Sequence, residues 1–166
     1  MREQWYDIKD FPPYQISNRG EVKNGVTDRI LKVSQNQSGV AYVGMMKDGV
    51  QVHRGIALMV IEACGFQHVN EVFDTPINLD GNRLNNHISN LMWRPRWYAV
   101  KYHRQFEKRY AYPIVTPVID TGTMTIYQNS MHAAVCNGLL EKEVVMSIAN
   151  NTHTWPTHQV FQMIPE

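Results

Sequence analysis

The first fifty residues alternate between apolar and polar positions in short runs, which is typical of β-strands. An apolar lead-in of Trp5, Ile8 and Phe11, which we expect to pack in a core, precedes the first predicted hairpin. Asn18 and Gly20 suit the turn of that hairpin because both tolerate a positive φ. The pattern predicts a hairpin over residues 14–22, strands over 29–33, 41–46 and 50–53, and a tight turn at 47–49.

The hydrophobic period changes to that of a helix near residue 55. Apolar residues between Ile56 and Ala63 follow the spacing i, i+3, i+4 and i+7, so one helical face is apolar. Gly65 is suited to end the helix in the left-handed conformation. We therefore predict a helix over residues 55–64.

The last fifty residues form a separate pattern of a hairpin followed by two helices. The predicted elements are a hairpin over 117–127 with its turn at Thr121 and Gly122, a helix from an N-cap at Ser130 to Cys136, a turn at Gly138, and a helix over 141–150. The order helix, glycine turn, helix is that of a helix-turn-helix.

Residues 76–93 are the most informative segment, with the sequence PINLDGNRLNNHISNLMW. Its Asp-Gly-Asn, Asn-Asn and Asn-Leu-x-Trp motifs, at this spacing, closely resemble the metal-binding loop of phage-type HNH homing endonucleases. The Val-His-Arg at 52–54 also matches the family, which favours a scaffold role for His53 over a ligand role. The order of elements is similar to that family over nearly the whole chain.

The resemblance implies an α+β fold in three parts. The first, residues 1–50, is a small antiparallel β module that in the family is thought to touch DNA. The second, 51–112, is the ββα-metal HNH core with a basic and aromatic linker. The third, 113–166, is a β-hairpin plus helix-turn-helix.

The resemblance also implies that the catalytic positions are degenerate. The family's general base falls at Asn78, its carboxylate ligand at Ile77 and its ligand on the following helix near Ala99. Asn has no titratable proton near neutral pH, Ile cannot coordinate a hard cation, and Ala offers no donor atom. Asn90, which in the family braces the loop by hydrogen bonds, is retained. We therefore expect neither cleavage nor a bound metal.

A relocated metal site is the alternative interpretation of the same segment. Its ligands for Mg²⁺ or Mn²⁺ would come from Asp74, Asp80, His87 and His103. The competing interpretation of Asp80 and the neighbouring asparagines is that they cap and turn the loop.

Charge is concentrated in one segment of a chain whose net charge is only +1. Residues 94–109 carry six cations and one acid, a local charge of +5, so the rest of the chain sums to −4. Trp97, Lys101, Arg104 and Lys108 share one face of a predicted helix, which is either a nucleic-acid contact or a solvated face. The candidate contacts are Arg94, Arg96, Lys101, Arg104, Lys108 and Arg109.

The second helix of the C-terminal pattern offers further candidate contacts with nucleic acid. Glu141 and Glu143 would repel phosphate. Lys142, Ser147, Asn150 and Asn151 can contact DNA, the two asparagine amides by pairing with adenine. The alternative for both asparagines is that they only end the helix.

Composition indicates an ordinary soluble globular protein, with 43% hydrophobic and 19% charged residues. The longest apolar run, 56–61, is too short to span a membrane, and no signal peptide is expected at the start. Cys64 and Cys136 do not form a Cys-x-x-Cys pair, which excludes a cysteine zinc site and suggests reduced thiols in a cytoplasm. Both lie in apolar helical patterns, so we expect them to be buried. By resemblance, that cytoplasm belongs to the bacterial host of a phage.

Three functions fit these observations. The chain could be a DNA-binding protein derived from a homing endonuclease that has lost cleavage, acting as a regulator or accessory factor on double-stranded DNA. It could instead be an active metal-dependent HNH endonuclease or nickase with relocated ligands. The low net charge favours a third hypothesis, a protein-binding factor on the same fold. The sequence indicates neither a target site nor an oligomeric state.

Overall fold

The computed structural model describes residues 2–65, 71–107 and 113–164, and these form an α+β protein of short antiparallel sheets and helices, as predicted. The chain divides into two compact units, Met1–Ala99 and Val100–Glu166. The finer division into 1–50, 51–112 and 113–166 stays a prediction. No helix within the described ranges is long and apolar enough to cross a membrane.

The first unit contains three small antiparallel sheets and a helix. The first sheet comprises β1 (Trp5–Asp7), β2 (Tyr14–Ser17) and β3 (Val22–Asn24), the second β4 (Ser34–Gln35), β5 (Ala41–Lys47) and β6 (Val50–Gly55), and the third β7 (Thr75–Asn78) and β8 (Leu91–Arg94). Helix α1 (Ile56–Ala63) follows β6, and α2 (Arg96–Gln105) follows β8 across the division between the units.

Helix α1 confirms the prediction from its apolar face. It begins after Gly55 and ends at Cys64, and Gly65 takes the left-handed conformation that stops it. Ile8 and Phe11 are buried in the same core as α1, as expected, while Trp5 is half-buried with the Lys23 ammonium 4.6 Å above its ring. The N-terminal strands, α1 and β8 therefore share one core.

The strand predicted over 29–33 is wrong. Only a single bridge between Ile30 and Lys23 forms there, and the next strand, β4, begins later. Ile30 and Val33 are exposed, and only Leu31 of this apolar run packs against the core. In the first hairpin, Gly20 and not Asn18 has the positive φ of the turn, at +90°. The side chain of the buried Asn18 instead donates to Arg2 O and accepts from the backbone of Gln4.

Within its described residues, the second unit contains one sheet, the C-terminal part of α2 and two further helices. Its elements are β9 (Val118–Asp120), β10 (Thr125–Tyr127), α3 (Ser130–Asn137), α4 (Glu141–Asn150) and β11 (Phe161–Met163), with sheet order β10-β9-β11. The predicted hairpin and both predicted helices are confirmed. β11 was not predicted; it pairs with β9 and places Phe161 in the core of this unit.

Two predictions about α3 are wrong. Asn129, not Ser130, caps the helix, because its side chain accepts a hydrogen bond from the backbone of His132 (2.8 Å). Ser130 is instead buried, with its hydroxyl 2.7 Å from Oε1 of Glu141. Cys136 is exposed because it lies on the outer face of α3, whereas Cys64 is half-buried, and both are free thiols.

Candidate functional site

The segment with the family motif forms a closed loop between two paired strands. β7 pairs with β8 so that Ile77 faces Met92 and Asn78 faces Leu91. The backbone of Leu79 donates to Asn90 O (2.8 Å) and closes the base of the loop. Residues 79–90 are therefore held at both ends by β-type hydrogen bonds.

The two positions that the resemblance assigns to catalysis are buried at the end of β7, where the loop begins. Ile77 is 0% exposed and Asn78 is 3% exposed. The Asn78 amide donates to Asn85 O (2.9 Å) and to Oδ1 of the buried Asn86 (3.2 Å). Asn78 therefore directs its donors into the protein, where they satisfy acceptors of the loop.

Asp80 and Asn90 form a second polar pair in the loop. The Asn90 amide donates to Oδ1 of Asp80 (2.8 Å) and to Asn85 O (2.7 Å), and Asn85 donates to the other Asp80 oxygen (2.7 Å). Partial desolvation raises the pKa of Asp80, but these hydrogen bonds and one from Asn82 hold the pKa below its usual value. The loop thus uses the Asp80 carboxylate as an ionised acceptor.

The candidate ligands of a relocated metal site lie in different elements and have different hydrogen-bond partners. Nδ1 of His87 accepts from the Ser89 backbone (3.2 Å) and caps a short 3₁₀ turn, Ile88–Asn90. Asp74 is exposed and accepts from its neighbour Thr75 (2.8 Å). His103 lies in the second unit, half-buried, with its ring against that of Tyr102. Among the described residues, no three His, Cys, Asp or Glu side chains are placed to hold a metal ion.

Helix α2 presents the predicted basic and aromatic face to solvent. Trp97, Lys101 and Arg104 are exposed, whereas Tyr98, Ala99 and Tyr102 are buried. Arg96 is also exposed, at the first position of the helix. Arg94 is half-buried on β8, where its guanidinium donates to Trp93 O (2.8 Å) and lies 5.8 Å from the Phe73 ring centre. Lys108 and Arg109 lie outside the described residues.

The C-terminal candidates all lie on α4 or at its end. Lys142 and Asn150 are exposed on the helix, at its beginning and its last residue. The prediction for Ser147 is wrong, because Ser147 is buried and its hydroxyl donates to Thr152 O (2.6 Å). Asn151 ends the helix in the left-handed conformation, with φ 50°, as the helix-ending interpretation requires. Glu143 accepts a hydrogen bond from the Leu140 backbone (2.8 Å), so its negative charge serves the start of the helix.

Two supports of the loop were not predicted from the sequence. A Cβ added to Gly20 would lie 2.9 Å from Cβ of Asn86, so the N-terminal hairpin and the loop touch there without space for a side chain. Arg83 reaches across to Ser38 O (2.8 Å). No local residue pattern signals either contact, because each joins residues that lie far apart in the chain.

Comparison with known proteins finds sequences similar to parts of this chain. Residues 3–45 match the NUMOD4 motif. The chain is 36% identical over 95 residues to the DNA endonuclease I-HmuI of Bacillus phage SP01, and 34% identical over 98 residues to the uncharacterized HNH endonuclease L245 of Acanthamoeba polyphaga mimivirus. Over a little more than half of its length, this chain is therefore similar in sequence to two proteins named as endonucleases.

The extent of the match differs between sequence and structure. The aligned segments cover 54% and 56% of this chain, but the chain spans only about half of the first relative (51%) and about a quarter of the second (27%). A solved structure, titled as DNA binding and cleavage by the HNH homing endonuclease I-HmuI, shares the fold. Its TM-score is 0.54 at 22% identity, over 98% of this chain and 99% of that one. The resemblance to phage-type HNH endonucleases is thereby confirmed.

Proposed function

We propose that this protein binds double-stranded DNA on an HNH endonuclease fold and does not cut it, acting as a regulator or accessory factor. The observation behind the proposal is the burial of Ile77 and Asn78, at the positions of the family's metal ligand and base. An HNH site needs both groups at one phosphate, whereas here both side chains are buried in β7 and only Asn78 bonds to the loop.

The bonding of Asn78 argues against a hidden catalytic role. Its two amide hydrogens are directed to Asn85 O and Asn86 Oδ1, so turning the side chain outward would leave buried acceptors unsatisfied. An amide also lacks a proton that titrates near neutral pH. The loop therefore gains rigidity from Asn78 and loses the means to activate a water.

The exposed face of α2 supports DNA as the partner. Trp97, Lys101 and Arg104 lie on that face, and no acidic side chain occurs between residues 81 and 106. Cations at phosphates release condensed counterions, and an aromatic ring can pack against the sugar or base. The same cations in a chain of net charge +1 give a localised contact instead of general attraction to DNA.

The C-terminal pair α3 and α4 is proposed to act as a helix-turn-helix. Gly138 makes the turn between the helices, at φ 69°. Because Glu141 and Glu143 begin α4, contacts from this helix would come from Lys142 and from the amides at its end, Asn150 and Asn151. Such contacts add sequence discrimination and little bulk affinity.

A bacterial cytoplasm is the proposed setting. One relative comes from a Bacillus phage, and both cysteines are free thiols, as in a reducing compartment. Because the protein would act after infection, its DNA would be that of the phage or of the host.

One experiment separates the three candidate functions. A pool of labelled random duplexes is enriched for binding, and the selected duplex is titrated with protein in Mg²⁺, followed by a denaturing gel of the same samples. Saturable binding to intact strands is the expected result. Cut strands would favour the relocated metal site. Absence of binding even at low salt would favour a protein-binding factor.

A further inference from the structure

Trp155 lies at the tip of a turn, residues 152–159, between α4 and β11, which we call the Trp155 turn. Its indole is 73% exposed although Trp is among the largest apolar side chains. The sequence from 144 to 165 contains no Asp, Glu, Lys or Arg, so the turn has no formally charged neighbour along the chain. Such an exposed indole is available to a partner.

The Trp155 turn is closed by hydrogen bonds at its base. The buried Thr154 donates through its backbone to Gln159 O (2.8 Å) and accepts from the His158 backbone (2.9 Å). Its hydroxyl also lies 2.8 Å from that of Thr157. Gln159 is in turn fixed to Oδ2 of Asp120 on β9 (2.8 Å). The indole is therefore presented on a fixed support, which lowers the entropic cost of using it in binding.

Apart from Pro156, the other residues of the Trp155 turn carry hydrogen-bonding side chains. His158 packs edge-on against the indole, with ring centres 5.3 Å apart, and His153 is held by a hydrogen bond between Nδ1 and His158 O (2.9 Å). Both imidazoles are exposed, as are the threonines at 152 and 157. A protein-binding Trp typically lies within a desolvated apolar patch, whereas a nucleobase presents an apolar face with a polar edge.

We infer that Trp155 stacks on a nucleobase of the bound DNA, with the two histidines beside it able to bond the base edge or backbone. This inference rests on the proposed DNA-binding function. Stacking on a base inside a duplex requires that a base step first be opened, which costs free energy. An unpaired base removes that cost, so the contact should strengthen wherever the duplex is interrupted.

The test uses two fluorescein-labelled 40-base-pair duplexes, one fully paired and one with a two-nucleotide bulge. Full-length protein should bind the bulged duplex more tightly. Trp155→Ala should remove most of this preference and weaken binding to the bulged duplex by about 5- to 150-fold, the range for loss of one stacked base. Trp155→Phe should restore part of it. The salt dependence should stay unchanged in both variants, because no charge is lost.

The outcomes separate this inference from the function on which it rests. If the unaltered protein binds both duplexes and the Trp155→Ala variant binds each with the same affinity, the stacking role is wrong and the proposed DNA binding stands. If the unaltered protein binds neither duplex at low salt, both proposals fail. The control Val115→Ala truncates a similarly exposed apolar side chain of the same unit and should not change the affinity for either duplex. If Val115→Ala weakens binding as much as Trp155→Ala does, the loss of affinity would be due to general instability.

Discussion

Asn78 shows how a position of the catalytic motif can serve stability instead. Its amide joins β7 to Asn85 and Asn86, in the second half of the loop. We expect Asn78→Ala to lower the free energy of unfolding by about 1–3 kcal/mol, because two acceptors lose their donor in a buried site. Urea denaturation would measure this. The control Leu84→Ala alters a half-exposed side chain of the same loop and should cost much less; equal effects would contradict the role assigned to Asn78.

Gly20 offers a second residue-scale prediction, with a matched control in Gly39. Both have positive φ, +90° and +75°, so alanine costs backbone strain of about 1 kcal/mol at either position. Only at Gly20 does the added methyl meet neighbours, Asn86 at 2.9 Å and Ile56 at 3.2 Å. We expect Gly20→Ala to destabilise by about 1–3 kcal/mol more than Gly39→Ala. Equal midpoints in urea would show that the loop and hairpin do not press together there.

At the scale of elements, the residue pattern predicted those helices whose formation depends mainly on residues near them in the chain. The period of apolar residues located α1, and the helix over 141–150 was predicted to the residue. The strand over 29–33 failed because its burial depends on whether a sheet lies nearby, which the run itself does not encode. β11 was missed for the same reason, since its partner β9 lies about forty residues away.

The candidate site was predictable in part. The motif identified the loop, and the retained Asn90 braces it as the resemblance implied. The donation from Asn78 to Asn86 and the capping by His87 depend on loop closure, which residue types alone do not determine. The buried support of Trp155 by Thr154 likewise appears only once the turn is formed.

The β9–β10 hairpin should make the second unit sensitive to acid. Desolvation raises the pKa of Asp120, but hydrogen bonds from Gln159, Gly122 and Thr123 hold it below its usual value. A depressed pKa in the folded state means that the carboxylate stabilises the fold above about pH 4, the unfolded value. This stabilisation is lost as the pH falls further, through the folded-state pKa.

Asp120→Asn tests this expectation. The variant should be less stable than the unaltered protein at pH 7, and the difference should shrink as the pH falls from about 4 toward 2. Urea unfolding followed by circular dichroism at each pH provides the measurement. A difference that stays constant across that window would show that the Asp120 charge does not contribute to folding.

At the scale of the whole molecule, charge is distributed to favour one contact surface. A segment of +5 in a chain otherwise at −4 predicts salt-dependent binding centred on α2. Six phosphate contacts would give a log–log salt slope of about −5. Replacing Lys101, Arg104 and Lys108 with Ala should flatten that slope by up to about 3.

The charge-retaining triple variant, with Lys101→Arg, Arg104→Lys and Lys108→Arg, is the control for that measurement. It should keep the slope of the unaltered protein because the count of neutralised phosphates is unchanged. If the alanine variant also keeps both affinity and slope, the main contact lies elsewhere on the protein.

Incubation of supercoiled plasmid with the protein in Mg²⁺ or Mn²⁺ tests whether the protein lacks cleavage activity. Because Asn78 cannot act as a base, and loss of a general base alone typically costs about 10²–10⁴ in rate, we expect no nicking that depends on the protein. His87→Ala and His103→Ala serve to identify any activity that is found. Nicking that survives extensive purification and disappears in either variant would show that the protein cuts DNA with relocated ligands, and the proposal of a non-cutting DNA-binding protein would be wrong.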